Sequence, residues 1–253
     1  MRPAPVAGRR GTAMMHRTKL ELTPRLRLLA DWIAPGNRVV DVGTDHAYLP
    51  VYLLLSGKVS AVIAGDLRRG PLERAKLTGK EYGVADHIDF RLCDGLSAVS
   101  SEEVDTVIIA GMGGETIVSI LAGAPWTADG RHTLLLQPMT RAEDLRAFLA
   151  EHGYRINREQ LVLDRGILYP VMSVTGGKMI LSTGQIHGGA ALARDPLEGR
   201  FLTEKILRLQ GAVAGLNRSG ASADGIKADR LRDIITALLE MKEEWRHANG
   251  SDD

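Results

Sequence analysis

The stretch that most constrains the fold is Arg38-Val39-Val40-Asp41-Val42-Gly43-Thr44-Asp45-His46-Ala47-Tyr48-Leu49-Pro50. A short β-branched run that ends in an acid and a glycine reads as a buried parallel strand entering a tight turn. From His46 to Leu55 the apolar residues keep helical company, so the unit is strand, turn, helix. Such a unit sets backbone N–H groups and a helix N-terminus at the carboxyl end of a sheet, where nucleotide-like ligands bind.

A dinucleotide fingerprint would need three glycines at this turn, so that the backbone could approach a pyrophosphate. Only Gly43 falls in place; Asp45 stands at the second glycine position and His46 follows it. Asp41 and Asp45 would repel a diphosphate. They would attract an ammonium and a sulfonium, the two positive charges of S-adenosylmethionine. On one strand and one glycine alone, an ordinary α/β turn remains the competing reading.

The rest of the chain alternates in the same way. Thr23 reads as the N-cap of a helix with Pro24 at its first position, and Leu26, Leu29, Ala30 and Ile33 form its apolar stripe. Strand-like runs follow at Val59 to Asp66, Ile88 to Asp94, Val104 to Ala110 and His132 to Gln137, with helical segments between them. That succession predicts a parallel sheet built from right-handed crossover units. After Gly153 the rhythm changes: Tyr154 to Leu163 and Ile167 to Thr175 flank Asp164-Arg165-Gly166, a hairpin signal. A mostly parallel sheet that closes with an antiparallel hairpin resembles the Rossmann-like class I methyltransferase fold.

The predicted organisation is a basic arm over residues 1–18, a methyltransferase domain over residues 19–180, and a linker with a C-terminal helical hairpin over residues 181–253. Arg2, Arg9, Arg10 and Arg17 make the arm basic, and Met14-Met15 inside it allows a later start as the bland alternative to an RNA-touching tail. Gly176 to Arg194, rich in Gly and small residues, reads as linker or surface loop. Leu202, Ile206, Leu209, Val213 and Leu216, then Leu231, Ile234, Leu238, Met241 and Trp245, form two coiled-coil stripes joined by a polar loop from Asn217 to Gly225. The charges on these helices balance, so a solvated face competes with a nucleic-acid grip there.

Composition narrows the function classes. The chain of 253 residues is 44% hydrophobic and 25% charged, as a globular protein should be, and at 4% aromatic its core must be aliphatic. A formal net charge of +1 leaves any nucleic-acid binding to a local patch. Cys93 is alone, which rules out an internal disulfide and fits a reducing cytoplasm. No apolar run approaches the ~20 residues that span a bilayer, so no membrane is expected. No metal is expected either, and the oligomeric state is left open.

Functional residues of such a sheet gather at the carboxyl ends of its strands. Here those ends read Asp41-Val42-Gly43, Gly65-Asp66, Asp94-Gly95 and Ala110-Gly111-Met112-Gly113. A carboxylate at Asp66 can accept both hydroxyls of a ribose. Asp94 can take an adenine amino group, and Gly95 leaves room for the ring. Any one of these acids could be a helix cap instead, but the set in register is hard to attribute to capping. At the fourth strand end, enzymes that methylate an exocyclic amino nitrogen resemble one another in an (Asp/Asn)-Pro-Pro-aromatic loop. Gly111-Met112-Gly113-Gly114-Glu115 stands there instead. A ring nitrogen whose lone pair attacks the methyl directly needs no such loop. Cys93 lies within a strand and reads as core packing rather than as a nucleophile.

With these motifs assembled, the chain resembles the bacterial tRNA (adenine(22)-N1)-methyltransferase family. The resemblance is carried by Leu22-Thr23-Pro24-Arg25-Leu26, by Asp41 to Pro50, Gly65-Asp66, Cys93-Asp94-Gly95-Leu96, Ile109 to Glu115 and Leu136-Gln137-Pro138-Met139. It covers about Lys19 to Thr175; the C-terminal hairpin matches the family in architecture rather than in sequence. It implies methyl transfer from S-adenosylmethionine to N1 of an adenine in tRNA. By position it implies that Asp41, Gly43, Asp45 and His46 hold the methionine moiety and Asp66 the ribose. Asp94 and Gly95 would hold the cofactor's adenine, and Ala110, Gly111, Met112 and Gly113 form the methyl-transfer face. Asp45 is the expected catalytic carboxylate, and the coiled coil with any basic surface from Arg25, Arg27, Arg68, Arg69 and Arg141 the expected phosphate grip. The rivals are a methyltransferase acting on another RNA, a protein or a small molecule, a non-catalytic RNA-binding module and, with its glycines missing, an NAD-linked oxidoreductase.

Overall fold

A computed structural model describes residues 20–192, 195–219 and 222–250, so the basic arm lies outside the described residues. Helix α1 (Pro24–Trp32) leads into β1 (Val39–Val42), α2 (Tyr48–Leu55), β2 (Val62–Asp66), α3 (Arg69–Glu81) and β3 (Ile88–Leu92). Then come β4 (Thr106–Gly113), α4 (Gly114–Ala122), β5 (Thr133–Thr140) and α5 (Ala142–Glu151). The hairpin β6 (Tyr154–Asp164) and β7 (Ile167–Gly176) follows, and α6 (Thr183–Gly188), α7 (Glu198–Ser219) and α8 (Ser222–Asn249) end the chain. The strands form one seven-stranded sheet in the order β3-β2-β1-β4-β5-β7-β6. Strands β1 to β5 pair in parallel, whereas β7 pairs antiparallel with both β5 and β6, as the sequence predicts.

Both faces of the sheet are covered, which is why its central strands read as apolar runs rather than as alternation. Val40, Val42, Ile109, Leu134 and Leu136 pack with Ile117, Leu121, Leu145 and Leu149 on the α4 and α5 side. Val39, Val62, Ile108 and Leu135 pack with Leu29, Ile33, Leu49 and Leu53 on the α1 and α2 side. Parity along the strands thus sends Asp41 and Gln137 to the α1 face, beside Val39 and Leu135. Each fully buried leucine or isoleucine contributes on the order of 1.5–3 kcal/mol, and the aliphatic core predicted from composition is what forms.

Three local readings need correction. Thr23 does precede α1, but its hydroxyl makes no capping bond and is buried without a partner. The segment read as a loop from Gly176 to Arg194 contains α6, opened by a capping box between Ser182 and Gln185. Its small residues serve contact: a Cβ on Gly184 would meet Met241 Sδ at 2.8 Å, and one on Gly188 would meet Leu238 Cδ2 at 2.9 Å. The loop expected from Asn217 to Gly225 is mostly helix, since α7 runs to Ser219 and α8 begins at Ser222.

The helical hairpin itself follows its two stripes, with Leu202, Ile206, Ile234 and Leu238 buried between α7 and α8. Buried charges tie it and α6 to the sheet. Arg146 on α5 and Glu159 on β6 are fully buried and meet at 2.5 Å. Arg146 Nη1 also donates to the Ile186 carbonyl, and Glu159 Oε2 accepts from Ala190 N. Lys205 on α7 pairs with Glu143 on α5 at 3.0 Å.

Candidate active site

The sheet order places the strand ends side by side, Asp94-Gly95 next to Asp66, then the turn after β1, then Ala110 to Gly113, then Gln137 to Thr140. The β1 turn is fastened to β2 because Gly43 N and Thr44 N both donate to the Gly65 carbonyl, at 2.8 and 3.0 Å. It is bent sharply: Gly43 has φ +75°, and His46 and Ala47, with φ of 65° and 51°, hold left-handed conformations that cost non-glycine residues energy. The sequence read this segment as helix from His46; regular helix begins at Tyr48, and the His46 ring stacks on the Tyr48 ring at 5.3 Å.

The acids differ in what surrounds them. Asp41 is 7% exposed, and burial pushes its carboxyl up to about 6. The Thr44 hydroxyl beside it offsets part of that rise, and the charge of Asp66 adds to it. Thr44 Oγ1 is buried and makes no aligned hydrogen bond of its own. Asp66 is also buried; its Oδ1 accepts from Arg68 N at 2.8 Å, and its Oδ2 has no donor among the described residues. Asp94 is exposed after β3, and Gly95 turns there with φ +54°. A Cβ on Gly95 would press on Ile120 at 3.0 Å, so the turn is packed closely against α4.

Asp45 stands half exposed with both Arg74 contacts on its Oδ1, at 2.7 and 3.2 Å, and its Oδ2 without a donor among the described residues. Arg74 on α3 was missed in the sequence, where nothing marks it as the partner of an acid one strand away. Cys93 is buried just after β3, and burial raises its thiol above the ordinary range, which fits packing rather than nucleophilic chemistry.

The segment Ala110 to Gly113 closes the other side. A bulge interrupts its pairing with β5, and Gly111 bends with φ +74°. Gly111 N donates to Gln137 Oε1 at 3.1 Å, and the same oxygen accepts from Arg25 Nη1 at 2.8 Å. Arg25 in turn donates to Asp164 Oδ2 at 2.7 Å and lies over the Tyr169 ring. A relay of Asp164, Arg25 and Gln137 thus fixes the bulge from the hairpin. Its only sequence signal is a glutamine inside the apolar run Leu134 to Pro138. The side chain of Met112 lies over Gly43, for a Cβ there would fall 2.1 Å from Met112 Cε.

This relay withdraws Arg25 from the expected phosphate grip. Arg25 is 20% exposed and committed to Asp164. Arg141 pairs with Glu115 and Asp144, and Arg27 with Asp31. Arg68 and Arg69 are exposed beside the strand ends at the start of α3. No group of three or more His, Cys, Asp or Glu among the described residues could hold a metal ion, and no helix there is long and apolar enough to cross a membrane.

The residues fit a cationic adenosyl donor. A buried carboxylate with one oxygen disengaged, an orphaned buried hydroxyl and a second buried carboxyl pushed up by its surroundings lie together at the adjacent carboxyl ends of β1 and β2. A mostly parallel sheet closed by an antiparallel hairpin, with this cradle at its carboxyl edge, defines a class I methyltransferase, and residues 22–172 match the family model for a methyltransferase domain. The chain is 34% identical over 187 residues, 74% of its length and 77% of the relative's, to the tRNA (adenine(22)-N(1))-methyltransferase of Bacillus subtilis (strain 168). It belongs to that methyltransferase family. The crystal structure of the B. subtilis M1A22 tRNA methyltransferase TrmK superposes with a TM-score of 0.81 at 30% identity, covering 88% of this chain and 100% of that one. Streptococcus pneumoniae Sp1610, a putative tRNA (m1A22) methyltransferase in complex with S-adenosyl-L-methionine, gives 0.77 at 31% identity, covering 88% and 100%.

Proposed function

We propose that this chain transfers a methyl group from S-adenosylmethionine to N1 of adenine 22 in tRNA. The observation that carries the reading is Asp66: buried, held through one oxygen by Arg68 N and open through the other, beside the strained β1 turn. When bound, S-adenosylmethionine supplies a methyl group made electrophilic by its positive sulfur.

The chain's own residues bind and orient. Asp66 Oδ2 accepts from the ribose hydroxyls, and Asp94 with Gly95 takes the cofactor's adenine. Asp41, Gly43, Asp45 and His46 frame the methionine end, where ionised Asp41 meets a positive charge. Ala110 to Gly113, held by Gln137, forms the face against which the substrate base lies, so donor and acceptor are aligned in line. Attack by the N1 lone pair would break the methyl–sulfur bond, return that electron pair to sulfur and leave the positive charge on the methylated adenine ring. Asp45, steadied by Arg74 through Oδ1, offers Oδ2 to that charge or to the N6 amino group. A base in folded tRNA must be turned outward for this chemistry. Arg68 and Arg69 then meet backbone phosphates, and the reading places the enzyme with its tRNA in the cytoplasm.

The test pairs calorimetric titration of S-adenosylmethionine with single-turnover methylation of a tRNA transcript carrying adenine 22, the product mapped by mass spectrometry. Asp66→Ala should weaken donor binding by roughly ten- to a hundredfold, the worth of about 1.5–3 kcal/mol for hydrogen bonds to a charged group. Asp45→Asn, measured at saturating donor, should slow the single-turnover rate by an order of magnitude or more, a size common for groups acting at the transition state. Undiminished donor binding by Asp66→Ala would overturn the cofactor assignment, and methyl transfer to a site other than adenine 22 would overturn the substrate assignment.

A further inference from the structure

A cavity of about 680 Å³ lies away from the strand ends, between α6, the start of α7 and the last turns of α8. Its volume falls within the range of about 300–1,000 Å³ typical of small-molecule sites. Glu198, the first residue of α7, lines it and is 3% exposed. Its Oε2 is fully buried with no hydrogen-bond partner. The start of a helix favours an anion, but no donor among the described residues reaches this carboxylate. Burial pushes it up to about 7, and the charges of Asp195, Glu159 and Glu244 add to the rise. A buried carboxyl left unpaired inside an acidic surround is costly unless something positive meets it.

The rest of the lining says what kind of cation fits. Glu240 and Glu244 line the cavity from α8, while Trp245, Met241 and Ala237 supply apolar wall. Trp245 is held in place, since its Nε1 donates to the Asp195 carbonyl at 3.1 Å and its ring packs over Gly199. Asp195 in turn accepts from Leu161 N of β6 at 2.7 Å, so the cavity wall is tied to the sheet. An indole face, a thioether and a buried carboxylate together recognise an alkylammonium: the charge meets the carboxylate and the ring quadrupole, and the methylene chain meets the apolar wall. A divalent metal is a poor match, because no group of three or more His, Cys, Asp or Glu among the described residues converges as a metal site requires.

We infer that the cavity between α6 and α8 is a binding site for a linear alkylammonium of the polyamine class, with Glu198 as its anionic anchor and Trp245 as its wall. This site is separate from the one that holds the methyl donor and does not depend on the methyl-transfer reading.

The experiment is calorimetric titration of the full chain with spermidine, with magnesium chloride as a control for charge alone. One saturable spermidine site per chain is expected, with no comparable binding of magnesium. Glu198→Gln should weaken spermidine at least tenfold, and Glu240→Gln combined with Glu244→Gln at least threefold. Both should keep the wild-type affinity for S-adenosylmethionine. Glu198→Gln replaces a buried carboxyl that no donor among the described residues meets with a neutral group of the same size, so it should melt no lower than wild type. If it fails to fold, the α8 double variant decides. No saturable spermidine binding, equal binding of magnesium, unchanged spermidine affinity in the variants that fold, or a parallel loss of donor binding would each overturn the inference.

Discussion

The two ends of the sheet are made from the same strands, yet they obey different rules. At the amino end most polar groups find partners, with buried Trp32 Nε1 at the end of α1 as an exception. Arg38 donates to both oxygens of Asp105 and to the Glu102 carbonyl, Asn37 donates to Thr106 at 2.8 Å, and buried His132 sits between Asp129 and the Ser101 carbonyl. At the carboxyl end lie Thr44 Oγ1 without a partner, Asp66 half engaged, and Asp41 displaced from the ordinary range of a carboxylate. All four non-glycine residues with positive φ among the described residues, His46, Ala47, Arg141 and Arg165, also belong to this edge. Strain and unpaired polar groups persist only where the surrounding structure holds them in place, and they collect where a ligand completes them. The amino end is nearly complete without a ligand; the carboxyl end, where buried carboxylates and strained backbone also gather, is not.

The sharpest way to break that contrast is Gly114→Ala. The new Cβ would stand 2.1 Å from the Arg141 carbonyl oxygen and 2.8 Å from its carbon. Both are backbone atoms, so no side-chain rotation relieves the clash. The turns after β4 and β5 must move apart, at an overpacking cost of about 1–3 kcal/mol. A shift of that kind misplaces the methyl-transfer face, and displacements near 1 Å can cost about a hundredfold in rate. Denaturant unfolding together with single-turnover methylation measures both. A variant that loses stability but keeps its rate would show that this edge is ordinary packing.

The next effect in size is a dependence on pH. The Asp41 carboxyl rises from 3.8 to about 6 on folding. Folding therefore gains from its protonated form below the lower value, and that gain is lost as pH rises through the upper one, about 3 kcal/mol at about 1.4 kcal/mol per pH unit. A bound cation would favour the ionised form. Donor affinity should thus be flat above pH 6 and fall by up to tenfold per unit below it, while Asp41→Asn should be weak and flat throughout. Titrations from pH 5 to 8 decide the matter; a wild-type profile with no bend near 6 would remove Asp41 from the donor site.

What was legible in the sequence follows the same division. Strand ends could be read because β-branched runs stop at acids and glycines, and the hairpin because Asp164-Arg165-Gly166 separates two such runs. Parity within a strand even assigns Gln137 to the face of α1. Partners could not be read. Arg25 lies 139 residues from Asp164 and 112 from Gln137, so a side chain that looked like a free cation turned out to be an internal brace. Arg74 and Asp45 show the same from the acid's side. The small residues around α6 misled for a related reason: in a local window they signal a flexible loop, whereas contact with Met241 and Leu238 on α8 is what requires them.

The smallest expected effect tests the amino end. Arg38 and Asp105 form a pair with side chains 56% and 40% exposed, where water and salt screen most of the attraction. Arg38 holds the Asp105 carboxyl down to about 2. A depressed carboxylate stabilises the fold above its unfolded value and loses that contribution as pH falls through the lower one. Near neutrality Arg38→Ala should therefore change the thermal midpoint only at the limit of detection. The variant should lose part of its acid-dependent unfolding below pH 4, because Asp105 then keeps only the bond from the backbone N of residue 38 and titrates closer to its unfolded value. Methyl transfer should stay at the wild-type rate, since β1 keeps its pairing to β2 and β4 through backbone hydrogen bonds that do not involve the guanidinium. A rate reduced by more than tenfold would mean that strain at the carboxyl edge is transmitted along β1 from this pair, and the two ends would then have to be treated as one device.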